Sequence, residues 1–185
     1  MYALGITKVQ DRLRWALMRL GAVQRMEEGT SVPEEILLIK DLRIVTGLEG
    51  SSVIRRDVTL PLTTIRTSVA ALPFQLETLL PFPLDQSVVF SQFYPTTKET
   101  ATVAWASTQA SIKSHLEKWQ SLKVDPDLIS SETLALARYA RYSFPDEPQL
   151  ALLHNNLGIA LDHDRVVCAM ESPDPARLKD RKSVV

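Results

Sequence analysis

The sequence predicts an α/β protein. Three observations carry that reading. The chain opens with two apolar runs, Tyr2 to Ile6 and Leu13 to Leu20, joined by the polar TKVQDR. A long central stretch, Arg43 to Leu84, passes from a β-branched run through a glycine-punctuated turn to a second such run, then into a helical period. Beyond it, aromatic and β-branched runs keep alternating with segments of 3.6-residue period as far as Met170.

The opening runs read as a β-hairpin. Leu13, Trp15 and Leu17 alternate with Arg14, Ala16 and Met18, the period of two that a half-buried strand needs. A helix over 11–20 is the alternative, since RLRWALMRL suits one as well. A third strand is expected over Ala22 to Met26. Glu28-Gly29-Thr30-Ser31 is a turn. Pro33 followed by Glu34 and Glu35 makes a helix start. EEILLIKDL suits a short helix or a buried strand, and nine residues of periodicity leave both open.

In the central stretch, Gly47 and Gly50 bracket Leu48-Glu49, and Ser51-Ser52 follow, so a turn is cheap there. Val53 to Leu60 reads as a strand ended by Pro61, which has no N–H for a ladder. Thr63 or Thr64 offers a hydroxyl to cap the next helix. Ile65, Val69, Leu72, Leu76 and Leu79 then form one apolar stripe. Pro73 interrupts it. An interior proline costs about 3 kcal/mol, so the expectation is two short helices or one kinked helix. Ser87 to Tyr94 and Thr100 to Ala106 read as strands around the turn PTTKE. Ser107 or Thr108 caps a helix carrying Ile112, Leu116 and Trp119. Leu128-Ile129 suits a short strand, and Ser131 caps a helix with Leu134, Ala137, Arg138 and Arg141. Leu150 to His154, Gly158 to Leu161 and Arg165 to Met170 read as a strand and a hairpin. The tail from Ser172 is charged and holds two prolines.

Composition narrows the function classes. The chain has 185 residues, 45% hydrophobic and 23% charged, with net charge −1, ordinary for a soluble globular protein. That balance gives no support for nucleic-acid binding, which shows as a basic patch. Arg12 with Arg14, and Arg177, Lys179, Arg181 and Lys182, read as solvated surface. The one cysteine, Cys168, excludes an internal disulfide and fits a reducing compartment. It lies in the apolar run VVCAM and reads as a small buried hydrophobe. No apolar run approaches the ~18 residues of a membrane span.

Catalytic chemistry is thin. The histidines are His115, His154 and His163. His154 beside Asn155, and His163 between Asp162 and Asp164, are the candidates for a metal. Adjacent residues at a hairpin tip point in different directions, so the Asp-His-Asp run is read as a solvated turn. No G-x-S-x-G, P-loop or C-x-x-C occurs.

The series VTGLEGSSVIRRDVTLP (Val45 to Pro61), then LPFQLE and LPFPLD, with LALAR at Leu134 to Arg138 downstream, resembles the pilus-assembly PilM and type II secretion GspL families. Both belong to an actin-like ATPase superfamily. The resemblance implies an actin-like (ribonuclease H-like) mixed sheet with an inserted second α/β lobe, truncated before the second half. On that plan 1–52 and 127–171 form the core lobe, 53–126 the inserted lobe and 172–185 a charged tail. The sheet would open with the hairpin from Tyr2, flanked by helices at about 108–121 and 131–142.

An actin-like ATPase clamps phosphate twice, each time with Asp-x-Gly between strands: the carboxylate organises Mg²⁺ waters and the glycine lets backbone approach phosphate. Here Thr7 and Val9 fill the first pair of positions, with Lys8 between them, and His154-Asn155-Asn156 fill the second. Both clamps depart from the pattern, as in GspL, which keeps the fold and has largely lost the ATPase site. The resemblance therefore implies a non-catalytic cytoplasmic scaffold of a type II secretion or type IV pilus assembly apparatus, with no catalytic, cofactor-binding or metal residues and no cofactor. Its implied partners are a secretion or pilus-assembly ATPase and an inner-membrane assembly protein or its cytoplasmic peptide, at the inner face of the bacterial inner membrane. Nucleic acid is not among them, and homo-oligomerisation stays open. The rival readings are an ATP-binding actin-like enzyme with a rearranged site, and an unrelated α/β interaction domain.

Overall fold

The computed structural model describes residues 1–154 and 157–171. In chain order the elements are strands β1 (Tyr2–Val9), β2 (Arg12–Arg19) and β3 (Ala22–Gly29), helix α1 (Glu34–Leu37), strands β4 (Leu42–Leu48) and β5 (Ile54–Leu60), and helix α2 (Ile65–Leu79). Strands β6 (Ser87–Pro95) and β7 (Thr100–Thr108), helix α3 (Gln109–Ser121), strand β8 (Leu128–Ser131) and helix α4 (Glu132–Ser143) follow. Strands β9 (Gln149–His154), β10 (Leu157–Asp162) and β11 (Arg165–Glu171) complete the described chain, and the charged tail of 172–185 lies outside it.

Two compact units result. The first holds Met1–Leu48 with Lys113–Glu132; the second holds Glu49–Ile112 with the residues from Thr133 onward. In the first unit five strands run in the order β3-β2-β1-β4-β8. The β1–β2 and β2–β3 pairs are antiparallel and the β1–β4 and β4–β8 pairs parallel, so the sheet is mixed, as expected. The period-two pattern decides the opening: Leu13, Trp15 and Leu17 are buried and Arg12, Arg14 and Arg19 exposed. A helix over 11–20 would have scattered that set around its circumference. These three side chains meet Leu4 and Ile6 of β1, Ile36 of α1, and Trp119 and Val124 in one core. The short-helix reading of EEIL holds for four residues, with Pro33 just outside at the cap position.

In the second unit β5-β7-β6 form an antiparallel sheet and β11-β10-β9 another. Leu72 and Leu76 of α2 pack on Val58, Leu60 and Ala104. Ala137 and Ala140 of α4 share a core with Val103, Trp105, Ile159, Leu161 and Val166. Thr64 caps α2, its side chain accepting from the Thr67 N–H. Thr108 does the same at the start of α3, accepting from the Ser111 N–H at 3.1 Å.

Two expectations for α2 need correcting. The helix runs unbroken through Pro73, so the two-helix reading falls. The proline removes one N–H, and the buried Leu72 and Leu76 hold the helix to the sheet on both sides of it. Nor is the whole stripe inside. Leu72 and Leu76 are buried, but Ile65, Val69 and Leu79 are 49%, 51% and 40% exposed. Periodicity identified the helix; contact with the sheet decided which turns of it are covered.

Candidate functional site

The first expected clamp position falls in the opening hairpin. β1 continues through Thr7, Lys8 and Val9, which pair with Arg14, Leu13 and Arg12. The turn is only Gln10 and Asp11, with Gln10 at φ 55°. Residues at the expected clamp positions are thus part of a ladder, not a loop whose N–H groups converge on an anion. Thr7 and Val9 carry no carboxylate. Asp11, which the sequence reading passed over, is an exposed carboxylate in the turn itself. Arg12 and Arg14 are committed to Glu28 of β3, at 3.1 and 2.7 Å. The hydrogen bond from Arg14 holds the Glu28 carboxyl below its usual range.

The second clamp position begins at His154, exposed at the end of β9; Asn155 and Asn156 lie outside the described residues. His163 sits in the β10–β11 turn at φ 51°. Its Nδ1 is 3.2 Å from Asp162 Oδ1, while Asp164 pairs with Arg141 Nε at 3.5 Å. Arg141 also donates to the carbonyls of Glu147, Pro148 and His163 and so pins this turn. Asp162 and His163 thus face each other, and Asp164 turns to Arg141. Among the described residues no three His, Cys, Asp or Glu side chains converge as metal ligands. Cys168 is buried, 3% exposed, and packs with Ala160.

His115 had no role in the sequence reading and has one here. Its Nε2 accepts from the indole N–H of Trp119 at 3.0 Å and lies 2.9 Å from Thr46 Oγ1. An indole can only donate, so Nε2 carries the lone pair and the ring proton sits on Nδ1. Thr46 and Trp119 are 1% and 2% exposed. The trio clasps α3 to β4. The spacing of His115 and Trp119, one helical turn apart, was readable; Thr46 lies 69 residues from His115, and nothing in the pattern brings it there.

A surface of another kind lies on the second unit. A groove of about 310 Å³ runs between α2 and β6. Val69, Leu72, Pro73 and Leu76 form its helix wall, and Val89, Ser91 and Phe93 its strand wall. No charged residue lines it. Its chemistry suits apolar side chains of a protein, not a phosphate or a metal.

No protein-family model and no curated sequence matches the chain. Solved structures do. Over 99% of this chain and 66% of the other, the PilM–PilN type IV pilus biogenesis complex aligns at TM-score 0.69 with 15% identity. The cytoplasmic domain of EpsL, an inner-membrane component of the Vibrio cholerae type II secretion system, aligns at TM-score 0.60 with 17% identity, over 92% of this chain and 71% of that one. The chain has the fold of PilM and EpsL. It is the actin-like fold class expected from the sequence. The chain spans just under two thirds of the PilM-complex chain's length. Among the described residues no helix is long and apolar enough to cross a membrane.

Proposed function

We propose that the chain is a non-catalytic scaffold subunit of a type II secretion or type IV pilus assembly apparatus, working at the cytoplasmic face of the inner membrane. Its partners on this reading are an inner-membrane assembly protein or its cytoplasmic peptide, and a secretion or pilus-assembly ATPase. The observation that carries it is the fold shared along 99% of the chain with a PilM–PilN complex. The laddered hairpin, with Thr7 and Val9 where Asp and Gly would serve phosphate, supports the non-catalytic half. Tagged chain, crosslinked and purified from its native host, should bring down an inner-membrane assembly protein or the apparatus ATPase. Recovery of neither would remove the scaffold reading.

The rival, an ATP-binding protein with a rearranged site, rests on Lys8 and on Asp11 in the turn. One partly exposed lysine is worth little without converging N–H donors. Isothermal titration with MgATP should give no heat of binding. A micromolar dissociation constant abolished by Lys8→Ala or Asp11→Ala would promote the enzyme.

A further inference from the structure

The edges of the sheets are not treated alike. β3 carries Arg25, Glu27 and Glu28, and β5 carries Arg55, Arg56 and Asp57 in succession. Arg55 and Arg56 donate to the carbonyls of Val166 and Leu79, at 2.7 and 2.8 Å. Charge on an edge strand blocks pairing with another chain. β6 is the opposite edge of the sheet that β5 closes, and among the described residues it pairs with β7 alone. It is nine residues long, SVVFSQFYP, and holds no Asp, Glu, Lys, Arg or His. Val88 and Phe90, on one face, are 49% and 52% exposed. Val89, Ser91 and Phe93, on the other, line the open groove beneath α2. An uncharged edge of this length, apolar on both faces, is a template for another strand.

We propose that this edge is a self-pairing surface, on which two copies of the chain join by antiparallel β6–β6 pairing about a two-fold axis at Ser91. Ser91 is the centre of the strand, so this register uses all of it. Val89 then faces the second copy's Phe93, Val88 its Tyr94, and Phe90 its Gln92, and Ser91 faces itself. No position sets like charges opposite, and apolar cross-strand pairs stabilise a ladder. Ser87 falls opposite the second copy's Pro95, which has no N–H to offer, so the ladder stops at its own ends. Beyond those ends, each exposed Asp85 falls opposite the second copy's Thr97, in a turn that carries both Lys98 and Glu99 and so adds no net like charge. The groove of each copy gains the other's Val89 and Phe93 as a continuation of its wall. The strand's neutrality and its symmetric register favour a second copy, which is present wherever the first is. Such an isologous contact closes as a dimer, and the charged β5 edge prevents growth from the far side. This inference stands apart from the scaffold reading and survives its failure.

Sedimentation equilibrium of the full chain at micromolar concentrations should show a monomer–dimer equilibrium. Ser91→Lys puts two like charges on the axis and should weaken dimerisation about tenfold or more, with an unchanged circular dichroism spectrum. Val88→Glu, at a half-exposed site, should act in the same direction and serves if the first variant folds poorly. Directly opposed residues lie ~4.5–5.5 Å apart, within disulfide reach. Ser91→Cys should therefore crosslink two copies under mild oxidation, and Thr59→Cys on β5 should not. A chain that stays monomeric and does not crosslink through Ser91→Cys overturns the proposal. So does a dimer that Ser91→Lys and Val88→Glu leave intact, because that dimer forms elsewhere. A monomer whose copurifying partner is lost with Ser91→Lys would give the edge to another protein and likewise overturn it.

Discussion

Helices α2 and α3 carry the same kind of apolar stripe and use it differently. α3, 13 residues long, concentrates its burial in Trp119 and reinforces it with a polar clasp, Trp119 to His115 and His115 to Thr46. α2, 15 residues long, buries Leu72, Leu76 and Ser68 along its middle, and Arg56 of β5 ties it to the sheet only at its last residue, donating to the Leu79 carbonyl at 2.8 Å. It leaves Ile65, Val69, Phe74 and Leu79 between 40% and 74% exposed. A stripe thus reports that a helix forms, not how much of it is used within the fold. Of the exposed residues, Val69 lines the groove between α2 and β6, where contact with another protein would recover its burial.

The sharpest way to break this comparison is to remove the anchor of α3. Trp119→Ala should cost about 3–5 kcal/mol, the usual loss for a fully buried aromatic, because it opens the first unit's core and takes a donor from His115. Trp119→Phe keeps most of the packing and should cost less. Urea denaturation measures both. A loss below ~1 kcal/mol for Trp119→Ala would mean that α3 is held by something other than this clasp.

On α2 the effect should divide along the stripe. Leu76→Ala, at 2% exposure, should cost about 2–5 kcal/mol. Val69→Ala, at 51% exposure, should stay within about 1 kcal/mol. Equal losses at the two positions would show that the groove is closed in solution and that α2 has no surplus apolar surface.

Much of this was legible in the sequence, for reasons that particular residues show. Leu13, Trp15 and Leu17 at period two located a strand and its buried face together, since a hairpin partner lies a few residues away. The caps were readable to within one residue, Thr63 or Thr64 and Ser107 or Thr108, because capping is local; the structure selects Thr64 and Thr108. Whether Pro73 would split α2 into two helices or sit within one was not legible, because tertiary burial of Leu72 and Leu76 outweighs a local penalty. Neither was the extent of β1: TKVQDR looked like a six-residue turn, but pairing with Arg12 to Arg14 carries the strand through Val9. The His115 clasp depends on Thr46, and contact across 69 residues leaves no periodic trace. The order of motifs indicated the fold; the charge contrast between β5 and β6 was present in the letters and meaningless until both were known to be edges.

A smaller effect tests the clasp itself. Thr46→Val keeps the side-chain shape and deletes the hydroxyl that lies 2.9 Å from His115 Nε2. One hydrogen bond of net value about 1 kcal/mol is lost. His115 keeps the Trp119 donor, so no larger penalty is expected. The corresponding substitution on α2, Ser68→Ala, removes only a bond to the Thr64 carbonyl within the same helix turn. It should cost less, because it breaks no link between helix and sheet. Denaturant midpoints of the two variants decide this, and a greater loss for Ser68→Ala would invert the comparison.

The smallest expected effect is a pH dependence in the first unit. Asp127 accepts from the Ile44 N–H at 2.8 Å and pairs with Arg43 at 3.1 Å, and it returns its own N–H to the Ile44 carbonyl. The Ile44 N–H, more than Arg43, holds the Asp127 carboxyl below its ordinary range. Because the folded pKa is depressed, this carboxylate's contribution is complete above the pKa of the unfolded chain, about 4. It is lost as pH falls through the lower, folded value. Glu28, held down by Arg14, acts with the same sign in the same unit. Asp127→Asn should therefore be slightly less stable than the parent at neutral pH, and the two should converge in acid. Trp105→Phe leaves Trp15 and Trp119 as fluorescence reporters of the first unit's core. In that background the acid transition of the parent should be steeper than that of Asp127→Asn. Parallel transitions would mean that the Arg43–Asp127–Ile44 tie contributes nothing to folding and that the clasp around Trp119 holds β4 and α3 without it.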